Sequence, residues 1–251
     1  MKINKQFEPK LVMGFELEGV IMEGYQTMLR REIKKIYDKR GIGNQRAIIT
    51  EDASIISEGG YNHRTGNYEP WYEPVEIITP PLYIGEALKK LDNLLILLVN
   101  LEEAGLFRTN SSCGLHVNIS ERKLFRERYS AYNFTHKFIK TFDPIKWKLK
   151  FRRKSNMYCR MQKETLESFR KAKLGAFVNN RKSYGFHPLR NHYSAINTAN
   201  IDRGRNSNTK RLEIRVAGNT GYHSNSARMQ DYMKDVTDAM NKAAQAALKT
   251  V

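Results

Sequence analysis

The feature that most constrains the fold is a set of short segments in which apolar and polar residues alternate, as in a β-strand with one face on a core. The first segment is Val12–Ile21, VMGFELEGVI, which places Phe15 and Leu17 on one face. Glu16 and Glu18 then share the other face, about 7 Å apart along the strand. Two carboxylates on one face repel each other and resist burial. This strand alone is compatible with a solvated face and with a cation held between the carboxylates.

Two later segments repeat the alternation. Cys113–Ile119 and Lys210–Ala217 both carry apolar residues at every second position. The residues left on their other faces are Gly114, His116, Asn118, Arg211, Glu213 and Arg215. The three segments therefore predict strands that each present polar side chains on the face away from the core.

The ligand-type residues on or beside predicted strands form one set: Glu16, Glu18, Asp52, Glu76, His116, Glu213 and Arg215. Carboxylates in this number suit Mg²⁺, and one imidazole among them also suits Mn²⁺. An arginine beside them suits a transferring phosphoryl group. Each residue also has a plain structural interpretation: His116 as a buried histidine, Glu76 as a solvent-facing strand residue, Glu213 with Arg215 as a surface ion pair.

Length and charge restrict the remaining possibilities. The chain has 251 residues, 40% of them hydrophobic, and a net charge of +17. This size allows one large domain or two small ones, with a substantial core. Because the sequence shows no internal repeat and no convincing interdomain linker, we expect a single domain spanning residues 1–251. The longest apolar run is too short to cross a membrane, and the N-terminus lacks the apolar core of a signal peptide, so we expect a cytoplasmic protein. The basic runs Lys146–Lys154 and Lys171–Arg190 predict either a solvated surface or a groove for phosphates or another polyanion.

Between these strands the sequence predicts helices and one long hairpin. The predicted helices are Thr27–Arg40 (capped by Gly41), Ile84–Glu103, Glu121–Phe142, Lys163–Leu174 and Asn225–Lys249, and the further strands are Arg46–Thr50, Val75–Thr79 and Tyr193–Ala199. Residues 55–74 read as a hairpin or flap with turns at its glycines. Such a flap can be a lid over a ligand or a surface hairpin without chemistry.

Five motifs, in this order, resemble the amidoligase family: GFELEG, EDASI, VEIITPPL, SCGLHVNIS and RLEIRVAGNTG. They cover the chain from about Met13 to Gly221. The resemblance implies an α+β fold, in which a curled antiparallel sheet forms a half-barrel like the catalytic domain of glutamine synthetase, with helices on the convex face. It also implies a reaction in which ATP phosphorylates a carboxylate and an amine displaces the phosphate to give an amide.

The same resemblance assigns roles to individual residues. The implied metal ligands are Glu16, Glu18, Asp52, Glu76, His116 and Glu213. The implied ATP contacts are Glu18, Glu76, Glu213 and Arg215, with Mg²⁺ or Mn²⁺ as the ion. Arg215, Arg64 of the flap, Arg160 and Asn197 are the expected catalytic residues. Two departures from the family pattern are Ala53, where the family usually has glycine, and a longer insertion between Asp52 and Glu76.

Two other functions stay open from the sequence. A phosphotransferase could use the same metal and arginine chemistry and stop at phosphorylation. A nucleic-acid-binding protein could use the basic and aromatic residues from Lys146 to Tyr193, with its carboxylates merely solvated. For a ligase, the expected partners are small-molecule, peptide or nucleotide acids and amines.

Overall fold

The computed structural model describes residues 10–62, 64–121, 123–153, 194–203 and 210–248, with the single residues 167, 171 and 173. The strands are β1 (Leu11–Met22), β2 (Ile48–Thr50), β3 (Glu58–Asn62), β4 (Asn67–Ile78), β5 (Leu82–Tyr83), β6 (Phe107–Arg108), β7 (Gly114–Glu121), β8 (Ile196–Asn197) and β9 (Leu212–Gly218). The helices are α1 (Gln26–Ile36), α2 (Ile84–Glu103), α3 (Arg128–Thr141), α4 (Pro144–Lys150), α5 (Ala199–Arg203) and α6 (Ser226–Leu248), and a 3₁₀ turn covers Ile42–Asn44.

The strands of the described residues form one antiparallel sheet that does not close on itself. Its order is β2-β4-β1-β7-β9-β8, with β3 pairing to β4 and both β5 and β6 pairing to β1. β1 is the central strand, because β4 and β5 occupy one of its edges while β7 and β6 occupy the other. The α+β class with a large antiparallel sheet is therefore confirmed.

The residues of β1 explain why it lies at the centre. Phe15 and Leu17 are each 1% exposed and belong to the same apolar cluster as residues of α2 and α6. Gly19 lets the sheet pack closely there, since a Cβ at this position would lie 2.2 Å from Cζ of Phe107. Because β1 has one apolar face in the core and both edges paired, its other face, with Glu16 and Glu18, is held rigidly.

The helices bury their apolar stripes against the sheet and against each other. α2 packs on β1, α4 packs on β9, and α3 packs against α6. Aromatic rings fill the space between α3, α4 and α6, with Trp147 and Phe151 at 5.3 and 5.4 Å from the ring of Tyr232. This packing fixes α4 and the residues that follow it relative to β9.

Several predicted boundaries were wrong, and tertiary contacts explain two of them. The first helix ends at Ile36 rather than Arg40, because Lys90 Nζ donates a hydrogen bond to the carbonyl of Ile36 and lies over the ring of Tyr37. The helix expected from Glu121 begins at Arg128, since Glu121 ends β7 and its carboxylate accepts hydrogen bonds from the next turn. The helix Ile84–Glu103 is confirmed at both ends.

The expected flap is a hairpin of β3 and β4, with a different internal structure. Gly59 and Gly60 do not form its turn; both have positive φ within β3, next to an irregularity in the pairing with β4. The turn lies near Gly66, which also has positive φ. β4 extends back to Asn67 instead of starting at Val75, so the hairpin is continuous with the central sheet.

Candidate metal and phosphate site

The polar face of the sheet collects the predicted ligands through strand register. Glu18 pairs with Glu76 of β4, and Glu16 pairs with His116 of β7. Farther across, Asn118 of β7 pairs with Glu213 of β9. Directly paired residues point to the same face, so the side chains from four strands converge.

His116 lies at the centre of this face and is 1% exposed. Its Nδ1 is 3.1 Å from Glu16 Oε2 and 3.6 Å from Glu213 Oε1. Its Nε2 is 3.1 Å from Glu18 Oε1, but Nε2 makes no hydrogen bond of acceptable geometry. One buried imidazole thus separates Glu18 from Glu16 and Glu213.

Two sets of three side chains could each hold a metal ion, and both include His116. In one set the ligand atoms come from Glu16, His116 and Glu213, and in the other from Glu18, Glu76 and His116. Within each set the ligand atoms lie within 4.8 Å of one another. Carboxylate oxygens with one imidazole nitrogen form a donor set that suits Mg²⁺ or Mn²⁺.

Burial shifts the pKa values of the ionisable groups here. Burial raises the pKa of Glu18 from 4.5 to about 7, against the opposing charges of Arg153 and Arg215. Burial, together with the charges of Glu16 and Glu18, raises the pKa of Glu76 to about 8. Burial also lowers the pKa of His116 well below 6.5, and Arg215 adds to this shift. The cluster is therefore short of positive charge.

Glu213 and Arg215 form a buried pair at the far side of the cluster. Arg215 Nη1 donates to Glu213 Oε1 at 2.7 Å, and Asn197 Nδ2 donates to Glu213 Oε2 at 2.7 Å. Burial would lower the pKa of Arg215, but the carboxylates of Glu213 and Glu18 keep it above its ordinary value. The predicted pair is thus buried, and Asn197 contacts the cluster through Glu213.

A cavity of about 310 Å³ opens beside the Glu16 end of the cluster. Its lining includes Glu16 and Arg211 together with the apolar side chains of Val12 and Ile78. Arg211 Nε donates to Asn118 Oδ1 at 2.8 Å, and its Nη2 lies 3.7 Å from Glu16 Oε1. The volume is within the range of small-molecule sites, and the lining combines apolar residues with polar and charged ones, among them Lys10, Asn118 and Arg211.

The remaining predicted site residues lie at different distances from this centre. Asp52 lies close enough that its charge raises the pKa of Glu18 and Glu76, but it belongs to neither ligand set found among the described residues. Arg64 is exposed in the turn of the hairpin, about 30 Å along β4 from Glu76. Arg160, and the predicted helix Lys163–Leu174 apart from residues 167, 171 and 173, lie outside the described residues.

Three residues that the structure places at the site had no role in the sequence-based prediction. Asn118 and Arg211 lie on predicted polar faces, beside His116 and Glu213. This position in the alternating pattern could have identified them as site residues. Asn118 Nδ2 also donates to Glu16 Oε1 at 2.9 Å. Arg153 lies in the basic run Lys146–Lys154, which predicted either a solvated surface or a phosphate groove without singling out any residue, and it is only 3% exposed.

The comparison with protein families decides the assignment. Residues 10–216 match the model of a family described as "Putative amidoligase enzyme". The chain belongs to the amidoligase family. The comparisons with curated proteins and with solved structures found no match. An amide-forming ligase is the activity that the family description indicates.

Two further observations bear on the alternatives. Across the part of the amidoligase chain that the structure describes, no helix has the length and hydropathy needed to span a membrane. The nucleic-acid-binding alternative assumed solvated carboxylates, but Glu18 is 2% exposed and Glu213 is 4% exposed. Carboxylates buried to this degree need a hydrogen-bonding or cationic partner, which a simple surface role does not supply.

Proposed function

We propose that this amidoligase is an ATP-dependent carboxylate–amine ligase that uses Mg²⁺ or Mn²⁺ held by the carboxylates around His116. The observation that carries the proposal is the position of the His116 imidazole, with Glu18 on one side and Glu16 and Glu213 on the other. A neutral imidazole has one N–H, so one ring nitrogen must direct a lone pair at an oxygen of Glu16 or Glu18, each about 3 Å away. A cation bound at one of the ligand sets would accept this lone pair, and the N–H of the other ring nitrogen would then face the opposite carboxylate.

The residues present fit divalent ions. Glu16, His116 and Glu213 would hold one ion, and Glu18 and Glu76 would hold a second. The buried His116 Nε2 atom, which has no hydrogen-bond partner, lies next to Glu18 of this second pair. Bound there, such ions neutralise the charge on ATP phosphates and on the acid substrate. Asp52, in the loop after β2, lies near Glu18 and Glu76 and would be a further ligand of the second ion.

The chain's own residues then account for the two chemical steps. In the first step an oxygen of the substrate carboxylate attacks the γ-phosphorus of ATP, ADP leaves, and Arg215 stabilises the negative charge on the transferred group. In the second step the amine nitrogen attacks the acyl carbon, inorganic phosphate leaves with the former carboxylate oxygen, and the nitrogen loses a proton. Asn197 keeps Glu213 oriented through its 2.7 Å hydrogen bond, and Glu213 in turn orients Arg215.

The cavity beside Glu16 supports the nucleotide part of the proposal. Its apolar walls suit a flat base, and Arg211 at the end next to the cluster suits a phosphate. The same proposal includes a half-barrel curl of the sheet and a cytoplasmic location. It also includes catalytic roles for Arg64 and Arg160.

The test is ADP release from Mg²⁺·ATP in the presence of mixtures of candidate acids and amines. Wild type should release ADP only when an acid is present, and Glu18→Gln should be inert because it lacks one ligand carboxylate. Glu23→Gln is the matched control, since Glu23 is exposed just beyond β1. Equal activity of Glu18→Gln and wild type would refute the proposed metal site.

Product analysis in the same assay decides between the two reactions on this scaffold. An amide formed with one ADP and one phosphate supports a ligase. A stable phosphorylated product without amide supports the phosphotransferase alternative.

A further inference from the structure

Arg153 is the least satisfied charged group in the described part of the chain. Its side chain is 3% exposed, and neither Nε nor Nη2 has a hydrogen-bond partner. The remaining nitrogen, Nη1, donates to the carbonyl of Ala217. Buried guanidinium groups without acceptors are rare, because removing the charge from water is costly unless hydrogen bonds replace the lost hydration.

The end of α4 directs this residue inward. Arg152 adopts a left-handed conformation, with φ of 51°. Its N–H donates to the carbonyl of Leu149, and the N–H of Arg153 donates to that of Lys148 at 3.0 Å. This is a Schellman ending, in which the chain reverses direction just after the helix. The fold thus accepts a non-glycine residue in a left-handed conformation, and Arg153 lies beneath the surface as a result.

Two glycines make room for the guanidinium. Gly114 and Gly218 are paired between β7 and β9. A Cβ on Gly114 would lie 2.1 Å from Arg153 Nη1, and a Cβ on Gly218 would lie 2.2 Å from it. A side chain at either strand position would therefore fill the space that now holds the charge.

This glycine slot adjoins the Glu18 side of the cluster. Leu17 pairs with Leu115 across β1 and β7, so Gly114 stands next to Glu18 in the continued register. Arg153 contributes the largest charge effect on Glu18, ahead of Arg215, and it also acts on His116. Two unpaired N–H donors are thus placed at the site on the side away from the cavity and Arg211.

We propose that Arg153 is an oxyanion-binding residue of this site, whose Nε and Nη2 hydrogen-bond a carboxylate or phosphate group placed beside Glu18. The proposal extends the proposed ligase function, in which such a group is either the acid substrate or a phosphate of ATP. A guanidinium edge with two free donors matches the two oxygens of a carboxylate or phosphate. Because solvent does not reach either nitrogen, the side chains that close the slot have to move for the oxyanion to enter, and the bound ion is then shielded from water.

Inorganic phosphate is the probe, titrated into the full chain and followed by calorimetry. Arg153→Met should weaken phosphate binding by about 10- to 100-fold, the range for losing charge-assisted hydrogen bonds. Arg153→Lys keeps the charge and loses the two-donor edge, so a smaller loss is expected. Arg152→Met is the matched control, because Arg152 is exposed and one residue away. If Arg153→Met does not fold, as judged by its unfolding transition, Arg153→Lys decides.

A second titration, after saturation with Mg²⁺ and a non-hydrolysable ATP analogue, identifies the source of the oxyanion. Loss of phosphate binding would assign Arg153 to the nucleotide phosphates, and retained binding would assign it to the acid substrate. Unchanged phosphate affinity in Arg153→Met and Arg153→Lys, or no phosphate binding by wild type, would overturn the inference. Binding of the analogue to wild type tests the ligase proposal separately, so either idea can fail while the other stands.

Discussion

Replacing Glu18 with glutamine should stabilise the metal-free protein at alkaline pH and leave its stability nearly unchanged at acidic pH. In the folded protein the pKa of Glu18 is about 7, compared with 4.5 for an unperturbed carboxyl group. Between these values the folded state holds more protons than the unfolded state, so the free energy of unfolding falls as pH rises. A shift of this size corresponds to about 3 kcal/mol of the free energy of unfolding. This contribution is fully present below pH 4.5 and is lost above pH 7. Glutamine cannot ionise and avoids this loss.

The measurement is urea unfolding in EDTA at pH 5 and pH 8.5, for wild type, Glu18→Gln and the exposed control Glu23→Gln. The difference between Glu18→Gln and wild type should grow by about 2.5 kcal/mol from the lower to the higher pH, since a small part of the effect is already lost at pH 5. Saturating Mg²⁺ or Mn²⁺ should largely cancel the difference at pH 8.5, because an ion at 100 times its Kd stabilises wild type by about 2.7 kcal/mol and stabilises the variant less. A stability difference that does not change with pH would refute the assignment of Glu18 to a buried, charge-poor cluster.

Three further predictions concern the stability of the fold. Arg215→Met should lower the free energy of unfolding by about 3 kcal/mol because it leaves Glu213 buried without its cation, and the double variant with Glu213→Gln should recover part of this loss in urea unfolding. Burial lowers the pKa of His223 to about 4, so this group alone should cost the folded state about 3 kcal/mol as pH falls from 6.5 to 4, opposite in sign to the effect of Glu18. The stability of His223→Gln relative to wild type should rise by about that amount over the same range, and a constant difference would contradict the prediction. Phe138→Ala should destabilise by about 3 to 5 kcal/mol, measured as a shift of the urea midpoint, because the ring is fully buried between Phe134 and Phe142.

The sequence was sufficient for those parts of the fold that local periodicity determines. The faces of β1, β7 and β9 followed from alternation, because a period of two and an apolar core leave only one orientation for each strand. The bounds of α2 followed from its leucine spacing and the glycine beyond it. The convergence of Glu16, Glu76 and His116 needed strand order as well, and only the family resemblance supplied that.

Features determined by contacts between distant residues could not be predicted from the sequence. The end of α1 depends on Lys90, which is more than fifty residues away along the chain. The burial of Arg153 depends on two glycines in strands before and after it, while its own neighbours are basic and indicate a surface. The extension of β4 through Pro74 was missed because proline usually marks the end of a strand.

The irregular pairing of β7 with β9 links the fold to the chemistry of the site. Leu115 pairs with Ala217 but Val117 pairs with Ile214, so His116 faces two residues of β9 instead of one. Glu213 and Arg215 share the polar face by ordinary alternation, and the extra residue after them returns Ala217 to the apolar face. It also brings Gly218 opposite Gly114, which opens the slot for Arg153. A single inserted residue in β9 thus makes the place for Arg153 beside a polar face that alternation alone had already built around Arg215.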